Sequence, residues 1–172
     1  RFDNRDIGKS GRLSGGQRLT LLELLKLRFL KIPVAAPYRI SDMAADTTGL
    51  MDALGIKSAH IVGASMGGMI AQEIAISFPQ RVRSLTSIMS TTGHPKVPPP
   101  TREAAAMLMA PPPATREEYL KRFAQTWKVL RVGSFPLDEA KDLERAERTF
   151  ERGLNPNGVG RQLRAILASG SR

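Results

Sequence analysis

Residues 59–77, AHIVGASMGGMIAQEIAIS, decide the fold of this 172-residue chain. Residues 59–62 form a short apolar run that predicts a β-strand, and residues 66–77 predict a helix that ends before Phe78 and Pro79. Between them lies the pattern Gly-x-Ser-x-Gly, with Ser65 at its centre. This pattern is common by chance, but its position directly between a strand and a helix makes it specific for a sharp strand–turn–helix unit.

A serine in that turn is a candidate nucleophile. The tight turn predicts a strained backbone at Ser65 and exposes its hydroxyl at the N-terminus of a helix, where developing negative charge is favoured. The backbone N–H of Met66 is the predicted oxyanion donor. We expect Gly63 and Gly67 to be needed because side chains there would collide, and Gly68 to let the helix approach the sheet. The simpler alternative is that Ser65 is an ordinary helix N-cap.

The segments on either side predict an α/β fold with a parallel sheet. Ser41 is a credible N-cap, Asp42 suits the first helical turn, and apolar residues follow at helical spacing until Gly55 ends the helix. Residues 82–89 predict a second strand. Helix, strand, helix and strand therefore alternate over about 50 residues, which is typical of parallel strands joined by crossover helices.

The remaining segments predict a strand end and a helical layer. Residues 1–9 indicate the end of a strand followed by a turn, and the Leu-rich residues 19–30 predict a helix that is buried or lies on an apolar partner. After position 94 the chain is punctuated by prolines and predicts only helices over the carboxyl edge of the sheet. These helices are expected at 116–130, 138–152 and 156–168.

Serine needs a base that an acid orients, and the chain has only two histidines. His60 lies within the strand before the turn, so we interpret it as structural. His94 follows the next strand and is a candidate pocket residue rather than the base. A solvated helix face is expected for the carboxylates Asp138, Glu139, Asp142, Glu144 and Glu147. No metal-ligand spacing and no phosphate-binding loop occur, so neither a metal nor a cofactor is expected.

The composition sets further limits. The formal charge of +10 comes from arginines spread along the chain, aromatic residues make up only 5%, and no basic run interleaved with aromatics occurs. We therefore expect a solvated basic surface and no nucleic-acid partner; the alternative predicts salt-dependent retention on heparin. The chain contains no cysteine and no run of 18 apolar residues. These features predict a cytoplasmic protein with no membrane span.

Several segments resemble the α/β-hydrolase superfamily. RFDNRDIGKS at 1–10 looks like the turn after the fourth strand of that fold, IVGASMGGMIAQ at 61–72 resembles its nucleophile elbow, and FPQRV at 78–82 resembles the link to the sixth strand. SIMSTTG at 87–93 is similar to a bacterial group of aclacinomycin methylesterase-like hydrolases. Cofactor-free haloperoxidases and carboxylesterases are close relatives of that group.

The resemblance implies a partial hydrolase core at 1–94, running from the end of the fourth strand through the sixth. It also implies a helical cap at 95–168 that shapes the substrate pocket, and the start of a link to further core at 169–172. Only Ser65 and Met66 match functional positions of the family. The catalytic acid and histidine are expected outside this chain, which resembles a fragment and is expected to be nearly inactive by itself.

The resemblance implies that the complete protein is a serine hydrolase. The expected substrates are small or medium-sized apolar carboxylic esters, cleaved through an acyl-enzyme on Ser65 without a cofactor. A haloperoxidase-type member remains an alternative because it uses the same triad. A non-catalytic relative that binds a small ligand is the other alternative, and the absence of a late Asp and His from the parent sequence would favour it.

Overall fold

The computed structural model describes residues 1–15, 19–30, 32–110, 113, 115–131 and 136–171. A π-helical turn at Lys26–Leu30 and a 3-10 turn at Pro79–Arg81 accompany the regular elements of these residues. In chain order, the regular elements are α1 (Leu21–Leu25), α2 (Ile40–Ala53), β1 (Ala59–Ala64), α3 (Met66–Ser77), β2 (Val82–Ile88), α4 (Arg102–Met109), α5 (Arg116–Arg131), α6 (Glu139–Glu151) and α7 (Pro156–Ser169).

The two strands pair in parallel, and α3 is the crossover between them, which confirms the predicted arrangement. The pairing continues through Gly63 opposite Ser87 and Ala64 opposite Ile88, so β1 runs two residues further than its apolar pattern indicated. Helix α3 packs against both strands and against α2. The buried core between these elements consists of Tyr38, Ile40, Met43, Ala44, Ile70, Ile74 and Ala165.

Helix α2 begins before the predicted N-cap. The N-cap is Arg39 rather than Ser41, because the carboxylate of Asp42 accepts the Arg39 backbone N–H at 2.6 Å. A carboxylate in the third helical position is a good acceptor for that N–H group. The predicted end of the helix is confirmed, since Gly55 follows Leu54 with a φ of +68°.

Two predictions for the first 30 residues are only partly correct. Residues 1–4 form no strand, because a strand needs a neighbouring strand and the described sheet contains only β1 and β2, whereas the predicted turn follows at residues 5–10. The Leu-rich segment is helical as predicted, but it is not buried within the described residues, since Leu21 is 73% exposed and Leu30 is 64% exposed. Polar contacts anchor it instead, with Thr20 capping α1 and Glu23 accepting two hydrogen bonds from Arg164. The alternative, that the segment lies on an apolar partner, stays a prediction.

Helices α5 and α6 pack on each other and share an ion pair whose carboxylate is buried. Asp142 was expected on a solvated face, but it is 4% exposed and accepts hydrogen bonds from both terminal nitrogens of Arg131 at 2.5 Å. The prediction fails because helical charge periodicity does not reveal which face meets another helix. Tyr119 of α5 also contacts Phe150 of α6 and Phe123 of its own helix, with the rings tilted in both pairs.

Helix α7 contacts α2 and buries Ala165 in the core. The assignment of 95–168 to a cap and of 169–172 to a link stays a prediction. None of the helices in the part of the chain described above combines the length and the apolar composition that crossing a membrane requires.

Candidate active site

Ser65 lies directly after β1 with φ +54° and ψ −121°, a conformation that non-glycine residues rarely adopt. The residue is exposed, and its side chain makes no capping hydrogen bond to the start of α3. An N-cap serine would instead adopt an extended conformation and accept a backbone N–H. The geometry therefore argues against the N-cap alternative and confirms the predicted backbone strain.

Hydrogen bonds hold the Ser65 backbone on both sides. Its N–H donates to the carbonyl of Ile88 at 2.9 Å, which extends the parallel pairing by one residue. Its carbonyl accepts the N–H groups of Gly68 at 2.9 Å and Met69 at 3.2 Å, and the hydroxyl of Ser90 at 2.8 Å. Contacts from the first turn of α3 and from the end of β2 thus maintain a conformation that costs of the order of 1–3 kcal/mol.

Met66 occupies the first position of α3. The hydrogen-bond ladder of that helix begins with Gly68 and Met69 donating to Ser65, so the Met66 N–H precedes the ladder. An N–H group at a helix N-terminus beside a serine hydroxyl can donate a hydrogen bond to the oxyanion that forms when the serine attacks a carbonyl group. The oxyanion role of Met66 stays a prediction.

The three glycines of the elbow have different roles. A Cβ at Gly63 would lie 2.0 Å from the carbonyl oxygen of Gly67, so this position must be glycine. A Cβ at Gly68 would lie 2.5 Å from the Cβ of Ser90, which confirms close packing of α3 at the end of β2. At Gly67 a Cβ would meet no atom within 4 Å. The predicted steric need for glycine there is wrong, because the collision involves the Gly67 backbone rather than a side chain at that position.

We predict opposite effects on stability for alanine at Gly63 and at Gly67. Gly63→Ala should lower the free energy of unfolding by about 1–3 kcal/mol, since the new methyl group overpacks against backbone. Gly67→Ala is the matched control and should be neutral or stabilising by up to about 1 kcal/mol, because alanine favours a helix. Urea denaturation of both variants measures the difference. Equal destabilisation by the two substitutions would contradict this account of the turn.

The structure brings neither histidine into a hydrogen bond with Ser65 within the described residues. His60 Nδ1 lies 2.8 Å from the hydroxyl of Ser84 on β2, in keeping with a structural role. The Nδ1 atom of His94 accepts the backbone N–H of Lys96 at 3.2 Å, and the residue is exposed. The assignment of His94 to the substrate pocket stays a prediction.

A cavity of about 690 Å³ reaches the backbone of the elbow. Its walls come from the N-terminal segment, α2, β1 and α3. The lining residues are Arg1, Phe2, Asn4, Thr47, His60, Ile61, Val62, Gly63, Ala64, Gly67, Ile70, Ala71 and Ile74. The lining is mixed, with apolar groups of β1 and α3 beside the polar side chains of Arg1, Asn4, Thr47 and His60, and Ser65 is not one of the lining residues.

A buried ion pair that was not predicted from the sequence joins the N-terminal turn to α7. Asp6 is fully buried with φ +70°, and each of its carboxylate oxygens accepts a hydrogen bond from Arg161 at 2.8 Å. The Tyr38 hydroxyl and the Leu13 N–H also donate to it at 2.8 Å. Burial opposes ionisation of Asp6, but these hydrogen bonds outweigh it and lower its pKa to about 2. Burial and the bond to Asp6 both raise the pKa of Tyr38.

The hydrogen bond from Ser90 to Ser65 was not predicted either. The strand register indicates this contact: because Ala64 pairs with Ile88, the residues that follow the two strands lie side by side. Asp6 offered no comparable signal, since its partner Arg161 lies 155 residues away in the sequence.

Comparisons with known proteins agree with this geometry. A family model described as the alpha/beta hydrolase fold matches residues 1–150. The rhodomycin D methylesterase of Streptomyces sp. (strain C5) is 28% identical over 157 residues, which cover 80% of this chain and 47% of that protein. The corresponding enzyme of Streptomyces peucetius is 27% identical over 166 residues, covering 86% and 49%.

A similar solved structure is that of a hydrolase from Pseudomonas aeruginosa PA01, with a TM-score of 0.58 at 23% identity over 99% of this chain and 54% of that chain. The chain thus spans about half the length of these relatives. The structural likeness concerns the fold alone. With its elbow between a β-strand and the crossover helix that follows, and the family match over most of its length, the chain belongs to the alpha/beta hydrolase fold family.

Proposed function

We propose that this protein is a serine hydrolase that cleaves carboxylic esters of small or medium-sized apolar molecules. The observation that carries the proposal is Ser65 itself, which is exposed and strained, stands at the N-terminus of α3, and has a hydroxyl that makes no capping bond. Two of the relatives are methylesterases, and each aligns with at least 80% of this chain. They support an ester as the substrate.

The proposed reaction proceeds in two steps. The Ser65 oxygen attacks the ester carbonyl carbon while a general base takes the hydroxyl proton, and the Met66 N–H stabilises the resulting oxyanion. Collapse of this intermediate breaks the ester C–O bond, the alcohol leaves with the proton from the base, and an acyl-Ser65 ester remains. Water then attacks the acyl group with help from the same base, which releases the carboxylic acid and restores the serine. By analogy with the family, the proposed base is a histidine that an acid orients.

Acyl-enzyme trapping tests the proposal. The product of the complete gene is mixed with p-nitrophenyl acetate, quenched in acid within the first turnovers, and digested for mass spectrometry. We expect one acetyl group on the peptide that contains Ser65. Turnover with the acetyl group on another residue, or no turnover with any short-chain ester, would contradict the proposal; the second result would favour the non-catalytic alternative. The 172-residue chain alone should be far slower, because neither His60 nor His94 hydrogen-bonds to Ser65 within the described residues.

A further inference from the structure

Two non-glycine residues with left-handed backbones lie side by side at the ends of the parallel strands. Ser65 follows β1 with φ +54°, and Met89 follows β2 with φ +40°. The N–H of Ser65 donates to the carbonyl of Ile88 at 2.9 Å, so the two turns are joined. Strain at two adjacent positions persists only where surrounding contacts hold it, and such strain gathers at functional sites.

The turn at Met89 ends β2 and brings Ser90 against the elbow. The hydroxyl of Ser90 donates to the carbonyl oxygen of Ser65 at 2.8 Å. The same oxygen accepts N–H groups from the first turn of α3, but those bonds belong to the helix itself. Ser90 is therefore the side chain that ties the peptide plane after the nucleophile to the neighbouring strand.

Gly68 gives Ser90 the space it needs. A Cβ on Gly68 would lie 2.5 Å from the Ser90 Cβ and 2.7 Å from its hydroxyl oxygen, distances at which one of the residues must move. The absence of a side chain at Gly68 thus allows Ser90 to reach the Ser65 carbonyl. The close approach of α3 to β2 and the hydrogen bond to Ser65 are two consequences of the same contact.

We propose that Ser90 is a positioning residue for the nucleophile. Its hydrogen bond orients the Ser65 carbonyl and thereby helps to hold the strained backbone that presents the Ser65 hydroxyl. Ser90 acts through Ser65 and not on the substrate, so its loss should slow acylation without weakening substrate binding. The inference rests on the proposed function for its kinetic consequence, whereas its structural part stands independently.

Pre-steady-state acylation of the complete gene product by p-nitrophenyl acetate tests the kinetic part. Ser90→Ala should lower the acylation rate constant by about 10- to 100-fold with unchanged apparent substrate affinity, because a small misplacement of a nucleophile has effects of this size. Ser90→Cys keeps a weak donor and should recover part of the rate. Ser87→Ala on β2 is the control, since the Ser87 hydroxyl accepts a hydrogen bond from Gln72 and makes no bond to Ser65, and this variant should react at the wild-type rate.

Crystal structures of the wild type and of Ser90→Ala test the structural part. We expect the Ser65 carbonyl to rotate or its φ to leave the left-handed region in the variant. If Ser90→Ala does not fold, Gly68→Ala replaces it, because the added methyl group displaces Ser90 and should slow acylation similarly. Acylation at the wild-type rate, or a Ser65 backbone identical to the wild type, overturns the inference. A wild type that is not acylated at Ser65 refutes the proposed function, and the crystal structures then decide the role of Ser90.

Discussion

Replacing Ser65 with alanine is expected to lower the esterase kcat of the complete gene product by about 10⁶-fold, the loss typical when the nucleophile of a full triad is removed. The fold of the elbow should persist in the variant. Alanine supplies no attacking oxygen, so the acyl-enzyme route closes and only oxyanion stabilisation and substrate binding remain. Steady-state hydrolysis of p-nitrophenyl butyrate measures the loss.

Ser77→Ala is a suitable control for this prediction. Ser77 ends α3, and its exposed hydroxyl donates to Glu73 at 3.1 Å, far along the helix from the elbow. The control should retain the wild-type kcat. A Ser65→Ala protein that keeps more than about 1% of the activity would mean that another group attacks the ester, and the assignment of the nucleophile would fail.

Asp6→Asn is expected to destabilise the protein by about 3–5 kcal/mol, the usual cost of leaving one member of a buried ion pair without its partner. Arg161 is 3% exposed, and its charge would face a neutral amide. Asparagine is the informative substitute because it tolerates the left-handed backbone that Asp6 adopts, so the variant removes the charge without adding strain. Urea denaturation monitored by circular dichroism measures the change.

The same pair predicts a loss of stability in acid. The pKa of Asp6 falls from its usual 3.8 to about 2 in the folded protein. A lowered folded-state pKa means that the unfolded chain binds the proton first, so the contribution of Asp6 is complete above about pH 4. It should be lost as the pH falls from about 4 to about 2. The free energy of unfolding of Asp6→Asn should lack this part of the pH dependence.

An exposed ion pair provides the comparison for Asp6. Glu147 accepts a hydrogen bond from Arg116 at 2.7 Å, but both side chains are largely exposed. Glu147→Gln should therefore cost no more than about 1 kcal/mol. A double-mutant cycle with Asp6→Asn and Arg161→Met isolates the coupling of the buried pair. Additive effects of the two substitutions would show that the pair contributes nothing beyond its separate members.

The elbow and the helices around it could be predicted from the sequence because their signals are local. A short apolar run, a Gly-x-Ser-x-Gly turn and helical periodicity all lie within residues 59–77, and α3 has the bounds that this pattern indicated. The stop at Gly55 and the parallel pairing of β1 with β2 follow from patterns of similar range. The candidate nucleophile was therefore identified from about 20 neighbouring residues.

Tertiary structure alone decided which polar groups are buried and which partners they meet. Asp142 and Asp6 belong to charged segments that are typical of solvated surfaces, yet packing buries the first against Arg131 and the second against Arg161. The contact of Ser90 with Ser65 depends on the approach of α3 to β2 over Gly68. The physical reason is common to all three: periodicity reports one residue's position on its own element, whereas burial and hydrogen bonding depend on the elements packed against it.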